Sequence, residues 1–188
     1  MAVPVLAPAV LDRLVEIERA LDLGHGMKWV APAQKHFTLK FLGDVPPARI
    51  ESARIAVARS AAAAIRFTVA LEGLGAYPPH GPARVLWAGC RAGEGREDLA
   101  ALARAVEAEL VAAGFAPEER PFSPHLTLGR VRDGRTGRAA AALLAEGSHA
   151  ALSIGVIDVG EIVLFQSVLS SSGAAHAPLG RFTLPQRA

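Results

Sequence analysis

The 188-residue chain contains one cysteine, Cys90, only three lysines, and aromatic residues amounting to 5% of its length. A single thiol cannot form an internal disulfide and does not by itself build a zinc site, so the sequence fits a reducing cytoplasm. No apolar run approaches the roughly 18 residues that a membrane-spanning helix requires. We therefore expect a soluble cytoplasmic protein in which Cys90 is a buried strand residue.

The sequence also lacks a large excess of charge of either sign. The 20 basic and 18 acidic residues give a net charge of +2, which tolerates a polyanionic partner without requiring one. The three lysines, Lys28, Lys35 and Lys40, all lie around one short segment, which is a weak indication of phosphate nearby. A hydrophobic content of 51% and a charged content of 20% are typical of a globular chain that can bury a core without disulfides.

The order of predicted elements is similar in the two halves of the chain. Apolar residues recur at helical spacing from Pro8 to Leu21, and "PPARIESARIAVARSAAAA" predicts a second helix opened by proline. Strand-like segments alternate with these helices, and the turn-rich stretch 78–82 indicates a hinge. The second half again reads strand, helix, strand, helix, strand, which predicts an internal duplication.

A His-x-Thr motif occurs once in each half, in "KHFTLKFLG" and in "PHLTLGRVR", with 89 positions separating His36 from His125. Because strand side chains alternate between faces, His36, Thr38 and Lys40 are predicted to share one face. The same alternation places His125 and Thr127 together. Burying these polar groups unpaired would cost about 1 to 3 kcal/mol for each. We therefore expect the two polar faces to line a wet cleft.

Two imidazoles across a cleft can serve as one neutral base and one protonated acid, because their unperturbed pKa of about 6.5 allows both states near neutral pH. This arrangement suits displacement at phosphorus. The base takes a proton from water, and the acid protonates the departing alkoxide. Threonine hydroxyls and strand N–H groups can hold the phosphoryl oxygens.

The two motifs and the segments "GLGAYP", "PARVLWAGC", "EERPFSPHLTLGRV" and "EIVLFQSVL" resemble the 2H phosphoesterases, specifically the RNA 2′,3′-cyclic phosphodiesterases of the 2′-5′ RNA ligase family. The resemblance covers nearly the whole chain. It implies an α+β, bilobal fold with two pseudo-symmetric lobes, each an antiparallel sheet with flanking helices, and an active-site groove between them. We thus expect residues 1–188 to form one bilobal domain, duplicated at approximately 1–78 and 79–188.

The resemblance further implies hydrolysis of a 2′,3′-cyclic phosphate at RNA 3′ ends to a 2′-phosphomonoester, with no metal and no cofactor. In this assignment His36 donates a proton to the leaving 3′ oxygen and His125 activates water. Thr38 and Thr127 hold the phosphate. The expected partners are RNA with a cyclic phosphate end or a small cyclic nucleotide, with no membrane, and the protein is expected to be a monomer.

Two cationic residues are further candidates for substrate binding. Arg130 matches the arginine that follows the family's second motif, although strict alternation places it on the face opposite His125 unless a bulge redirects it. Lys40 has the matching parity, with a solvated strand end as the alternative. Phe122 and Phe165 could stack a base, but core packing is favoured. The remaining histidines, His25, His80, His149 and His176, are predicted to be exposed in loops.

Three other functions stay open at this stage. The same acid–base pair run backward would join RNA ends in a 2′-5′ linkage. A binding module without turnover is disfavoured by the two histidines, since phosphate binding alone favours Arg, Lys and backbone N–H groups. A zinc hydrolase is disfavoured because each motif offers one histidine and no second ligand at ligand spacing.

The family's first strand is longer than the segment after Met1, and a start site set late would explain this.

Overall fold

A computed structural model describes residues 1–147, 149–170 and 173–186, with the backbone alone for 168–170 and 173–175. The helices are α1 (Pro8–Ala20), α2 (Pro47–Ala63), α3 (Glu94–Ala112) and α4 (Gly134–Ala145). The strands are β1 (Ala2–Pro4), β2 (Met27–Trp29), β3 (His36–Thr38), β4 (Phe67–Tyr77), β5 (Val85–Cys90), β6 (Leu126–Val131), β7 (Ser153–Val159), β8 (Glu161–Ser170) and β9 (Gly173–Thr183).

Local sequence explains where the helices begin. Both α1 and α2 start at a proline, whose fixed φ and missing N–H suit the first helical position. Helix α4 starts after Asp133, whose side chain accepts a hydrogen bond from the backbone N–H of Thr136 at 2.8 Å. None of the helices in the described ranges has the length and apolar character needed to cross a bilayer.

The nine strands form an antiparallel sheet in the order β7-β4-β5-β6-β3-β1-β8-β9, with β2 paired to β6. The motif strands β3 and β6 are neighbours at its centre. We call β3, β1, β8 and β9 the first half-sheet, and β6, β5, β4 and β7 the second. The predicted α+β, two-lobed fold is confirmed, although backbone hydrogen bonds join the two predicted sheets into one.

The half-sheets do not follow the order of the chain. Strand β4, from the first half of the sequence, pairs with β5 and β7 in the second half-sheet. Strands β8 and β9, from the end of the sequence, extend the first half-sheet beside β1. The duplication with a boundary near residue 78 stays a prediction, and each half-sheet contains strands from both sides of that boundary.

The core lies against one face of the central strands. Phe37 on β3 and Leu126 and Leu128 on β6 are 0% exposed, so the inward positions of both motifs are fully buried. Helix α2 packs against β8, β9 and α3, while α3 and α4 pack against β4. Cys90, at the end of β5, is half-buried rather than fully buried, and burial raises the pKa of its thiol to about 11. Because strand side chains alternate between faces, burial of Phe37 and Leu126 leaves the polar motif residues on the face opposite the core.

Candidate active site

The two motif strands pair directly with each other. Phe37 on β3 lies opposite Leu126 on β6 in an antiparallel ladder. Continuing that register by one residue in each direction places His36 opposite Thr127 and Thr38 opposite His125. Each histidine therefore faces the threonine of the other motif, and the four side chains form a square on the face opposite the core.

The register also sets the separation of the two imidazoles. His36 and His125 occupy diagonal corners of the square, and diagonal neighbours on an antiparallel pair lie about 7–8 Å apart at the backbone. Such a spacing suits one phosphate group held between the rings. The threonines occupy the other two corners. Thr38 is exposed and Thr127 is half-buried, so neither threonine is enclosed in the core.

Both imidazoles are oriented by the same backbone contact. The Nδ1 atom of His36 lies 2.7 Å from the carbonyl oxygen of Gln34, and Nδ1 of His125 lies 2.8 Å from that of Ser123. Because a carbonyl oxygen can only accept, each Nδ1 carries the hydrogen and donates. Each Nε2 is thereby left as the nitrogen that can take up or release a proton at the cleft.

Two side chains of the first half-sheet surround His36. Its ring centroid lies 5.8 Å from that of Phe165 and 5.0 Å from that of His176, with the two imidazoles nearly perpendicular at 82°. The rings of Phe165 and His176 are 6.0 Å apart. We call His36, Phe165 and His176 the first ring cluster.

A matching group surrounds His125 in the second half-sheet. Its ring centroid lies 5.3 Å from that of Tyr77 and 6.4 Å from that of Trp87, which are 5.5 Å from each other. The Trp87 ring lies across Gly75, where a Cβ atom would come within 2.1 Å of it. Glycine at position 75 therefore leaves room for the indole. We call His125, Tyr77 and Trp87 the second ring cluster.

The first ring cluster disfavours a positive charge. Burial lowers the pKa of His36, and the charges of His176 and of the Met1 α-amino group lower it further, against the raising effect of the Gln34 carbonyl. Burial also lowers the pKa of His176. Both rings are therefore mainly neutral near pH 7 in the free protein.

Arg130 reaches the face of the square because β6 contains a bulge. The β5–β6 pairing shifts register between Leu86 and Trp87, so Trp87 lies opposite Thr127 while Val85 lies opposite Arg130. Since Val85 and Trp87 are two residues apart on β5, their partners Arg130 and Thr127 share one face. Arg130 is exposed, and Lys28 lies opposite it on β2. The bulge that would redirect Arg130 is thus present.

Lys40 requires a correction. Strand β3 ends at Thr38, so the alternation that would place Lys40 beside His36 does not continue. Its side chain is 3% exposed, with Nζ 2.5 Å from Oε2 of Glu107 and 2.7 Å from the carbonyl oxygen of Ala116. These two contacts connect the segment after β3 to α3 and to the loop after α3. The Lys40 ammonium therefore has a structural role in place of the predicted role in substrate binding.

Sequence reasoning missed three of the ring-cluster residues. His176, predicted in a loop, belongs to β9 and contacts His36. Tyr77 and Trp87 lie in the family-like segments "GLGAYP" and "PARVLWAGC" but outside both motifs, and the sequence does not show that they contact His125. Phe165, favoured as a core residue, lies half-buried in the first ring cluster, whereas Phe122 packs against the core as favoured. The other loop histidines divide: His25 and His80 are exposed as predicted, and His149 is half-buried.

Metal-ligating residues do not converge in the described ranges, where no three His, Cys, Asp or Glu side chains could hold a metal ion together. The polar groups of the square are two imidazoles and two hydroxyls. These can exchange protons and donate hydrogen bonds, which is the chemistry expected of a site for a phosphate ester.

Comparisons with known proteins point to one family. A family model described as LigT-like phosphoesterase matches residues 3–87 and 91–176. The chain is 36% identical over 173 residues to the RNA 2′,3′-cyclic phosphodiesterase of Aeropyrum pernix, covering 90% of this chain and 94% of that one. It is 33% identical over 158 residues to the protein of that name from Methanothermobacter thermautotrophicus, covering 84% and 83%.

Solved structures agree with the sequence comparison. A crystal structure of a Thermus thermophilus protein superposes with a TM-score of 0.80 at 26% identity, covering 100% of this chain and 97% of that one. Escherichia coli LigT in its apo form gives a TM-score of 0.75 at 22% identity, covering 98% and 95%. The second likeness concerns the fold alone.

Proposed function

The chain belongs to the LigT-like phosphoesterase family, and we propose that it hydrolyses the 2′,3′-cyclic phosphate at RNA 3′ ends to a 2′-phosphomonoester by acid–base catalysis without a metal. The observation that carries this proposal is the square of two histidines and two threonines across the β3–β6 pair. Relatives named RNA 2′,3′-cyclic phosphodiesterase support the same substrate class.

In the proposed reaction the cyclic phosphate lies between the two imidazoles. Nε2 of His125 takes a proton from a water molecule, whose oxygen forms a new bond to phosphorus. The bond between phosphorus and the 3′ oxygen breaks, and Nε2–H of His36 donates its proton to that oxygen. The hydroxyls of Thr38 and Thr127 donate to the non-bridging oxygens as negative charge grows on them.

The proton on His36 needs a source, because the lowered pKa leaves this ring mainly neutral in the free protein. A phosphodiester brings one negative charge beside the ring. A nearby negative charge favours the protonated form of the imidazole, so substrate binding raises the pKa of His36. His36 then carries the proton that it donates to the leaving oxygen. Arg130 and Lys28, on the same face beyond Thr127, are positioned to attract the anionic substrate.

The test is incubation with an oligoribonucleotide ending in a 2′,3′-cyclic phosphate, in ¹⁸O-water with excess chelator, followed by mass analysis. We expect one ¹⁸O atom in a product that carries a 2′-phosphate. The His36→Ala, His125→Ala double variant is the matched control. A rate that the chelator abolishes and a divalent metal restores would contradict the metal-free mechanism, and a 3′-phosphate product would contradict the choice of leaving oxygen.

The same assay addresses ligation. Adding an oligonucleotide with a 5′-hydroxyl gives the site a nucleophile other than water, and microscopic reversibility allows the same two histidines to serve. We expect hydrolysis to dominate in dilute solution because water is in large excess. A cytoplasmic location and a monomeric state remain predictions.

A further inference from the structure

The first ring cluster holds a second imidazole that the reaction scheme does not use. His176 lies directly opposite Ser167 in the β8–β9 hairpin, and its Nδ1 is 3.0 Å from the Ser167 hydroxyl. Phe165, two residues before Ser167, completes the contact with both imidazoles. His176 is thus held by its own hairpin and packed edge-to-face against His36 on a different strand.

Few other charges face these two rings. Next to β1, the α-amino group of Met1 lowers the pKa of both imidazoles when it is charged, and burial lowers its own pKa to about 5. Helix α2 packs against the hairpin with Arg54, which donates to the carbonyl oxygen of Leu179 and pairs with Glu51. From β8, Phe165 and Ser167 carry no charge. Among the described residues, no carboxylate belongs to the groups that shift the pKa of either ring, so nothing of opposite charge stabilises two cations side by side.

We propose that His176 is a positioning residue for His36: it fixes the His36 ring from the side and disfavours protonation of both rings at once in the free protein. This inference rests on the proposed function of His36 as the proton donor. Two cationic rings at a centroid distance of 5.0 Å repel each other in a half-buried site, so protonation of one ring makes protonation of the other less favourable. When the anionic phosphate binds beside His36, it stabilises the proton on His36 in preference to His176, in addition to any effect of the bulk pH.

The arrangement gives His176 two separable effects, one of shape and one of charge. The ring of His176 holds the rotamer of His36, so that Nε2 points into the cleft. Its titration competes with that of His36. A substitution that keeps a ring but cannot titrate retains the first effect and removes the second, whereas one that lacks a ring loses both.

The experiment compares His176→Phe and His176→Gln with the wild type. NMR titration of the histidine rings in the free protein, without substrate, is expected to show two coupled steps in the wild type and a single His36 step in each variant. The limb of the kcat/KM profile that titrates with His36 should move up by about half to one pH unit in both variants, since His176 can then neither take the proton in place of His36 nor repel it. His176→Gln should also lose about 3- to 10-fold in kcat, because the His36 ring is no longer held.

The control is His25→Phe, the same change at an exposed histidine outside the site, which should leave both measurements unchanged. An unaltered His36 titration together with an unaltered pH profile in both variants would overturn the proposal. If the wild type lacks phosphodiesterase activity, the proposed function fails, but the NMR titration still decides whether protonation of the two rings is coupled. Ser167→Ala, which keeps the imidazole, serves if a His176 variant fails to fold and should leave two coupled steps in place.

Discussion

The two ring clusters share one backbone design and differ in what surrounds it. In each, the motif histidine donates Nδ1–H to the carbonyl oxygen two residues earlier. His36, however, is packed against Phe165 and a second imidazole, whereas His125 is packed against a phenol and an indole. The repeated motif therefore supplies the shared geometry, and the flanking hairpins give the two histidines different surroundings.

The largest expected effect comes from removing either motif histidine. His36→Ala and His125→Ala should each lower kcat/KM on a 2′,3′-cyclic nucleotide by about 10²- to 10⁴-fold, because each removes a proton-transfer group. The pH profiles of kcat/KM in the two variants should distinguish the base from the acid. Loss of the base should remove the acidic limb of the bell, and loss of the acid should remove the alkaline limb. Circular dichroism confirms folding, and loss of the same limb in both variants would show that the roles are not divided as proposed.

The next effect tests the two threonines as a pair. Thr38→Val and Thr127→Val should each lower kcat by about 10²-fold, because each removes one hydrogen-bond donor to the phosphoryl oxygens. Thr→Ser at either position keeps the hydroxyl and should stay close to wild type. Single-turnover kinetics separate this loss from weaker binding. A valine variant with wild-type kcat would show that its hydroxyl does not contact the transition state.

A third change acts on the second ring cluster alone. Gly75→Ala places a Cβ within 2.1 Å of the Trp87 ring, so the indole must move and His125 loses a neighbour. We expect the free energy of unfolding to fall by about 1 to 3 kcal/mol, with a lower kcat. The His36 ring resonances should stay in place.

Gly160→Ala is the matched control for that change, since its nearest contact is the flexible end of Arg66 at 3.5 Å. A displaced His36 resonance in Gly75→Ala would show that the two clusters are not independent. An unchanged Tm would show that the indole has room to shift.

The smallest effect concerns the first ring cluster and pH. Because the folded-state pKa of His36 is lowered from its usual 6.5, the neutral ring contributes stability that is fully present above pH 6.5. This contribution is lost as the pH falls towards the folded-state pKa. Between pH 7 and pH 5 the wild type should therefore lose more unfolding free energy than His36→Gln. Urea titrations at each pH measure this, with His25→Gln as the reference for losing one histidine.

The sequence predicts well those parts of the molecule that depend on local patterns. Proline at the first helical position and apolar spacing place α1 within one residue of its observed end, and alternation separates Phe37 and Leu126 from the polar face. The direct pairing of the motif strands is not predicted, because it depends on residues far apart in the chain. The expected groove lies between two sheets, whereas the structure joins the motifs in one ladder.

The missed residues share a physical cause. His176 follows a Ser- and Gly-rich stretch that favours a loop, and only its cross-strand partner Ser167 shows that it belongs to a hairpin. The assignment of Lys40 is wrong because parity applies only while the strand continues, and β3 ends two residues earlier. Arg130 depends on a bulge that neither β5 nor β6 reveals in its sequence. Strand ends, bulges and distant pairings lie outside what alternation alone can predict.

The crossed pairing of the square has a consequence for how such a protein can arise and be divided. Since His36 lies opposite Thr127 and Thr38 lies opposite His125, each motif contributes only half of the residues of the proposed phosphate site. If the predicted duplication is the origin of the chain, a single ancestral repeat would have needed a second identical chain to complete the site. Two fragments cut in the turn near residue 80 should each be inert, and activity should return only when they reassemble along the β3–β6 seam.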